Sequence, residues 1–312
     1  MKRLFFIVFF GVFVNLATAD DGAQLWLQSP SEADGPERCL AVQCDVVLAP
    51  QDSLMMRRAA ALLSGWKGAA LHLAIVPDST SGSAEMDDGY SICRCDTSIS
   101  LTAVTPRGLM YGAYHLLRAQ AMDDVCLCRL MAHTSRLREL PAYKLRLVVV
   151  PAELLDGQWI PFVQAAASVG LNGIVSERSD AYVSRLCADY GMTLYEPSDL
   201  DALSFIHLST AVGGTDSLLY KPSTWSTQLT MANGVVLEGL EQPFDSPFCS
   251  ANWYAFARLA WNPHLSLRTL AYEWVAQTYS SNPICCMPVV QALLSNSNTV
   301  AIDALGMIDP NM

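Results

Sequence analysis

The sequence predicts an α/β protein with three parts: an N-terminal α/β sandwich-like domain, an incomplete (β/α) barrel-derived region and a C-terminal helical segment. Two observations carry this prediction. Between Lys144 and Tyr195, short apolar runs alternate with helical segments in a β-α-β-α-β rhythm, which is typical of a parallel sheet or barrel. From Cys249 onward, apolar residues recur at helical spacing. The predicted domain bounds are 20–135, 136–248 and 249–312.

The N-terminal domain mixes alternating apolar runs with two helical patterns. Its predicted elements are strands at 24–27, 71–76, 91–95 and 99–105 and helices at 55–63 and 109–120. Pro106 precedes the second helix, where a proline is tolerated because its missing N–H would have no partner inside the helix. The turn-rich stretch 77–89 separates the strands.

The barrel-derived region is too short to close in the ordinary way. Its predicted elements are strands at 144–150, 171–175 and 192–195, helices at 162–169 and 182–190, and weaker strands near 202–208, 217–220 and 235–239. Gly170 and Gly191 end the two helices. A complete (β/α)₈ barrel needs about 250 residues, far more than this stretch offers.

The C-terminal segment reads as two main helices. The first covers 252–260 and ends at Asn262-Pro263. Ser266 is predicted to cap the second, which extends to about residue 279.

Composition excludes some classes of function. The net charge is -11, the isoelectric point is near 4.8, and no run of basic residues is present, so nucleic acid is not an expected partner. With 52% hydrophobic and 16% charged residues, the chain is expected to form a folded core.

The first residues have the layout of a signal peptide. Lys2 and Arg3 precede the apolar run 4–14, and Ala17 and Ala19 are small residues where a signal peptidase cleaves. Residues 1–19 are therefore predicted to be removed, which predicts an exported, periplasmic or extracellular protein without a membrane anchor. The alternative is a buried N-terminal strand.

The ten cysteines do not indicate one arrangement. The pairs Cys93/Cys95 and Cys126/Cys128 could hold zinc, but the usual C-x₂-C spacing is absent. Disulfides and buried free thiols remain open, since export permits disulfides. The five histidines are scattered and interpreted as structural, and neither a metal nor another cofactor is predicted.

Several blocks carry a family resemblance. Residues Ala251–Pro263 read Ala-Asn-Trp-Tyr-Ala-Phe-Ala-Arg-Leu-Ala-Trp-Asn-Pro, and this block, continuing to Val275, resembles the C-terminal helical signature of glycoside hydrolase family 67, the α-glucuronidases. Residues 106–118, 167–175 and 216–225 are similar to further blocks of that family in the same order. The resemblance is collinear over nearly the whole mature chain.

The resemblance implies an inverting hydrolase, which needs one protonated carboxyl and one carboxylate that activates water. In this family, the general acid is the glutamate of a Ser-Glu-Gly stretch. That stretch has no counterpart here, as if a large internal segment were missing. Ser204 stands where the family has the glutamate that acts as general base. A serine cannot replace that carboxylate. Ala152 replaces a sugar-packing tryptophan of the family.

Other carboxylates follow predicted strands, where barrel enzymes place their catalytic groups. The candidates for a new acid/base pair are Glu153, Glu177 and Glu196, with Glu238 after a later strand. The candidates for binding a substrate are Glu153, Asp156, Glu177, Arg178 and Asp180. The alternative for all of them is a set of solvated loop charges.

These observations predict an exported family-67-like protein of xylan metabolism with hydrolysis absent or residual, so that the sequence leaves enzymatic activity uncertain. Its expected ligands are glucuronic-acid-substituted xylo-oligosaccharides. The alternatives are a non-catalytic module that binds glycan or protein, and the remnant of an internally deleted gene.

Overall fold

The computed structural model describes residues 25–27, 40–44, 49–64, 66, 70–76, 88–95, 98–122, 136–150, 154–202, 205–209, 234–238, 243–244 and 247–278. The predicted signal peptide, the predicted strand near 217–220 and the cysteine pair Cys126/Cys128 lie outside these residues. Mixed α/β structure, as predicted, is confirmed.

A five-stranded sheet forms the N-terminal lobe. Its strands are β1 (Leu40–Cys44), β2 (Ala70–Ile75), β3 (Tyr90–Cys95), β4 (Ser98–Ala103) and β5 (Arg136–Glu139). They lie in the order β1-β2-β4-β3-β5. β1, β2 and β4 are parallel, whereas β3 is antiparallel to β4 and β5. Every second residue of β4 is buried, so that one face of the strand packs against the core.

Two helices accompany this sheet, α1 (Pro50–Leu62) and α2 (Pro106–Ala121). Thr105 caps α2 by accepting a hydrogen bond of 3.0 Å from the Gly108 N–H. Gly112 lies directly against the sheet, because a Cβ added there would be 2.3 Å from Cδ1 of Leu101. Glycine therefore allows the close approach of α2 to β4.

A second five-stranded sheet forms the second lobe. Its strands are β6 (Leu145–Val149), β7 (Gly173–Val175), β8 (Thr193–Tyr195), β9 (Phe205–Ser209) and β10 (Gly234–Glu238). They are all parallel, in the order β8-β7-β6-β10-β9. The first strand of the lobe thus lies between its second strand and its last.

Helices α3 (Trp159–Ser168) and α4 (Ala181–Asp189) connect β6, β7 and β8, and short 3₁₀ helices cover Asp156–Gln158 and Pro197–Ala202. The predicted β-α-β-α-β rhythm is confirmed. One face of the sheet joins the main core. On the other face, Leu147, Val175 and Val236 form a separate buried cluster against which Leu200 of the second 3₁₀ helix packs. The segment that leaves β8 thereby helps to cover the second face of the sheet.

The C-terminal segment forms α5 (Pro247–Trp261) and α6 (Leu267–Thr278). Ser266 caps α6, since its Oγ accepts a hydrogen bond of 3.0 Å from the Thr269 N–H, as the sequence predicts. Trp253 and Trp261 are each only 3% exposed, which confirms a packing role for the apolar stripe of α5.

Three of the sequence blocks that carry the family resemblance, 106–118, 167–175 and 251–263, meet at Trp261. The Tyr111 ring lies edge-on to the Trp261 ring with the centroids 5.3 Å apart. Gly170, with φ +94°, approaches the same indole so closely that a Cβ would lie 2.4 Å from Cε3 of Trp261. Tyr111 also donates a hydrogen bond of 2.9 Å to the Leu171 carbonyl. The three blocks are therefore parts of one packing unit.

The strand predicted at 24–27 is wrong. Residues 25–27 form a turn in which Leu25 has a φ of +57°. Trp26 is buried, donates a hydrogen bond of 2.9 Å to Oγ of Ser168, and packs edge-on against Tyr254 at 5.4 Å. Contacts of one large side chain, and not strand pairing, hold this segment.

A buried polar cluster joins the two lobes. Asp88 accepts hydrogen bonds of 2.6 Å from Nε of Arg107 and 2.6 Å from Nη2 of Arg146, and one of 3.1 Å from the Asn172 amide. The Arg146 side chain is fully buried and also donates to the carbonyls of Gly170 and Tyr143. We call Asp88, Arg107, Arg146 and Asn172 the interlobe cluster.

A second buried carboxylate ties the C-terminal helices to α2. Glu273 accepts hydrogen bonds of 2.8 Å from both the Tyr254 hydroxyl and Nε of Arg258, and Nε of Arg118 lies 3.9 Å away. Burial alone would raise the pKa of Glu273, but Arg258 and Arg118 outweigh burial and lower that pKa to about 2.

Cys93 and Cys187 are free thiols. Burial raises the pKa of Cys187 to about 12, which keeps the thiol protonated. In the part of the chain that the structure describes, no helix combines the length and the apolar character needed to cross a bilayer.

Candidate functional site

The carboxyl ends of β6, β7 and β8 bring three loops to one edge of the second sheet. The strands run parallel, so the residues that follow them lie at the same end. Most of the charged residues predicted from the sequence belong to these loops. Glu153 and Ser204, however, lie outside the described residues, and so does the side chain of Glu238.

Arg178 is the centre of this edge. Its Nη1 donates to Oδ1 of Asp156 at 2.5 Å, and its Nε donates to Oδ2 of Asp180 at 2.6 Å. The loop after β7 is thereby tied to the loop after β6. We call Asp156, Arg178 and Asp180 the strand-end cluster. The structure brings together these three of the predicted binding residues.

Asp180 also begins helix α4. Its Oδ1 accepts hydrogen bonds from the N–H groups of Tyr182, at 3.0 Å, and Val183, at 2.9 Å. The Val183 N–H and the Arg178 guanidinium lower the pKa of Asp180. A general acid needs the opposite shift, because it must hold a proton at neutral pH. Asp180 therefore suits ligand binding and helix capping, and not proton donation.

Among the described residues, the ion-pair partners of Arg178 are the two aspartates and not the predicted glutamates Glu177 and Glu196. Glu196 follows β8 and accepts a hydrogen bond of 3.2 Å from the Ser179 hydroxyl. Glu177 is exposed, and its side chain bonds to none of the described residues. Among the residues that the structure describes, Glu196 thus links the loop after β8 to the loop after β7.

Trp159 was not predicted as part of the site. The guanidinium carbon of Arg178 lies 5.8 Å from the centroid of the Trp159 ring, within the range of a cation–π contact. The indole is 2% exposed and supports the cluster from beneath. Its position three residues after Asp156, at the start of a helix, is the signal that could have indicated this role.

The edge exposes groups that can bind a hydroxylated ligand. Asp156 keeps 84% of its side chain exposed and Arg178 keeps 36%. Tyr182, at the start of α4, and Leu155 are 48% and 68% exposed and add apolar surface beside these groups. No group of three His, Cys, Asp or Glu side chains suited to a metal ion occurs within the described part of the chain. The arrangement can donate and accept hydrogen bonds at a surface that is partly apolar.

Residues 245–307 match the family model of the glycosyl hydrolase family 67 C-terminus. This match confirms the resemblance inferred from Ala251–Pro263 and supports a carbohydrate-active protein. It covers the C-terminal helices and leaves both sheets outside. No curated protein sequence matches the chain.

Solved structures of glycoside hydrolases resemble the fold at low identity. A Flavobacterium johnsoniae chitobiase is 10% identical with a TM-score of 0.35, over 60% of this chain and 35% of the other. A family GH115 4-O-methyl-α-glucuronidase with specificity for decorated arabinogalactans is 8% identical with a TM-score of 0.34, over 51% and 29%. A Streptomyces plicatus N-acetyl-β-hexosaminidase is 12% identical with a TM-score of 0.35, over 60% and 46%. The matched part of the chain thus spans less than half the length of each.

Proposed function

We propose that this protein is an exported, non-hydrolytic or residually active relative of the family-67 α-glucuronidases, which binds acidic xylan fragments at the strand-end cluster. The match of residues 245–307 supports the family origin. The observation that carries the functional part is the engagement of Asp156 and Asp180 by Arg178. The Val183 N–H and Arg178 lower the pKa of Asp180, which favours the ionised state that binds hydroxyl groups and not the state that protonates a leaving group.

We further propose that the second lobe derives from a (β/α)₈ barrel that lacks its middle strands. In a closed barrel, the first strand lies between the second strand and the last, and β6 lies in that way between β7 and β10. Among the described strands, none connects the outer edge of β8 to the outer edge of β9. A barrel reduced to its first three and last two strands has this order.

Loss of the middle strands accounts for the absence of the family's catalytic carboxylates. The family's acid belongs to the middle of the barrel, according to the resemblance, and Ser204 stands at the position of its base. A barrel places its catalytic groups on loops after several different strands, so removal of those strands removes the catalytic groups with them. The remaining loops after β6, β7 and β8 keep charges that can bind a sugar.

The expected ligand is a xylo-oligosaccharide that carries glucuronic acid. Its hydroxyl groups can donate to Asp156 and Asp180 and can accept from Nη2 of Arg178, a nitrogen that neither aspartate engages. Tyr182, half exposed beside Asp180, offers a flat surface to the C–H face of a sugar ring. Signal-peptide cleavage would place the protein where such fragments occur.

The hydrolytic part of the proposal is tested by incubating the purified protein with aldouronic acids and measuring free uronic acid. We expect no release above the rate of a heat-inactivated control. Release that is lost in Glu177→Gln or Glu153→Gln would contradict the proposal and identify a rebuilt active site.

The binding part is tested by calorimetric titration with the same oligosaccharides. The protein should bind them, and Arg178→Gln should weaken binding by about tenfold, because a charge-assisted hydrogen bond is lost. Arg185→Gln, which removes a neighbouring exposed arginine outside the cluster, is the matched control. Absence of heat with every oligosaccharide would leave the gene-remnant alternative.

A further inference from the structure

A cavity of about 360 Å³ lies between the two lobes. Gln51 and Asp52 of α1 and Arg107 of α2 line it from the N-terminal lobe, and Thr193 lines it from the second. Thr193 is the first residue of β8, whereas the strand-end cluster lies beyond the carboxyl ends of the strands. The cavity is therefore at the opposite end of the second sheet from the strand-end cluster. Its volume falls in the range of small-molecule sites.

Arg107 presents a fixed donor to this cavity. Its Nε donates to Asp88 at 2.6 Å and its Nη1 donates to the Gly191 carbonyl at 3.1 Å, which together hold the guanidinium plane. Its Nη2 donates to none of the described residues, and 24% of the side chain is exposed. A ligand that accepts from Nη2 meets an arginine that is already ordered, so little side-chain entropy is lost on binding.

The charged groups of this cavity wall favour a ligand that carries a single negative charge. Asp88 is shared by two guanidinium groups, those of Arg107 and Arg146, each at 2.6 Å. One carboxylate cannot neutralise two cations, so a net positive charge remains behind the cavity wall. Asp52 lines another part of the cavity and adds an acceptor. A compact dianion such as phosphate is disfavoured by Asp52.

The remaining lining combines neutral polar groups with apolar surface. Gln51 and Thr193 can each donate and accept hydrogen bonds. Met55 and Met192 line the cavity from opposite lobes and provide polarisable apolar contact. A ligand with one carboxylate, several hydroxyl groups and a C–H face would use each of these features.

We propose that the interlobe cavity binds a small polyhydroxylated carboxylate of the sugar-acid class. The carboxylate accepts from Nη2 of Arg107, and the hydroxyl groups bond to Asp52, Gln51 and Thr193. The C–H face of the ring packs on Met55 and Met192. Because this site shares no residue with the strand-end cluster, it is independent of the function proposed above.

In the first experiment, the full chain is titrated with D-glucuronate, D-glucose and L-alanine, and binding is measured by saturation-transfer NMR and calorimetry. Glucuronate should bind at least about tenfold more tightly than glucose, which has the same ring but no carboxylate for Arg107. Alanine should not compete. Equal binding of glucose, preferred binding of alanine, or no binding of glucuronate would each overturn the proposal.

The second experiment locates the bound glucuronate. Ala188→Phe places a bulky side chain in the cavity and should abolish binding, and Thr193→Val should weaken it a few-fold by removing one hydroxyl. Arg185→Gln is the control, with binding expected to be unchanged. Thermal unfolding checks that each variant is folded, and Thr193→Val carries the test if Ala188→Phe is not. Binding that survives both cavity variants and disappears in Arg178→Gln would assign glucuronate to the strand-end cluster and overturn the proposal.

Discussion

Two arginine-centred clusters occupy opposite ends of the second sheet. In the interlobe cluster, the Arg146 side chain is fully buried and Asp88 retains 3% exposure. In the strand-end cluster, Arg178 and Asp156 retain 36% and 84%. A guanidinium paired with a carboxylate therefore affects stability and ligand binding differently in the two clusters. A buried charge without its partner is very unfavourable, whereas exposed ion pairs contribute little to stability and leave their groups available to a ligand.

The largest effect is expected for Asp88→Ala. This substitution leaves Arg146 buried without a counter-charge and removes an acceptor of Asn172. The free energy of unfolding should fall by about 3–5 kcal/mol, measured by urea denaturation. A loss under about 1 kcal/mol would mean that the buried cluster contributes no more to stability than the exposed cluster does.

A loss of stability of similar size, but one that depends on pH, is expected when Glu273, the second buried carboxylate, is replaced. Its pKa is lowered from an ordinary value of 4.5 to about 2 in the folded protein. Because the folded pKa is depressed, the resulting stability, about 3 kcal/mol, is present above pH 4.5 and is lost as the pH falls towards 2. Glu273→Gln should be less stable than the parent at pH 7, and the difference should shrink between pH 4.5 and pH 2. A difference that does not depend on pH would contradict the assignment.

Asp180→Ala tests how much the exposed cluster contributes to stability, because Asp180 also caps helix α4. The substitution removes the cap of α4 and one partner of Arg178. The urea midpoint should fall by clearly less than in Asp88→Ala, because water can solvate the freed N–H groups. Asp180→Asn keeps a capping oxygen and should lie between Asp180→Ala and the parent protein. If Asp180→Asn is as unstable as Asp180→Ala, the charge and not the cap is the stabilising element.

The smallest effect on stability is expected for Arg178→Gln. Its partners stay exposed and hydrated, so the urea midpoint should not change measurably. The same variant should bind acidic xylo-oligosaccharides about tenfold more weakly in the calorimetric titration. A large loss of stability would place Arg178 with Arg146 as a structural residue and would weaken the proposed function.

Local patterns in the sequence predicted much of this fold. The rhythm of strands and helices from 144 to 195 is confirmed, as are the cap at Ser266 and the buried stripe of α5. The loops after β6 and β7 were also identified, because parallel strands place their ends together. The strand at 24–27 was wrong because Trp26 is held by distant contacts to Ser168 and Tyr254, which local apolar spacing does not reveal.

The interlobe cluster could not be predicted, for the same reason. Asp88 lies at the end of a stretch that is rich in turn residues, where an acidic residue looks like an ordinary loop charge. Its partners, Arg107, Arg146 and Asn172, are distant in the sequence and belong to other elements. Only the folded arrangement shows that these residues share one buried site, and the cavity beside Arg107 follows from the same arrangement.

Gly170 has a consequence for how the gene can vary. Every residue type other than glycine carries a Cβ, and at φ +94° that atom would meet the Trp261 indole. A saturation library should therefore lose nearly all substitutions at position 170, while the exposed Gly157, with open space around it, tolerates many.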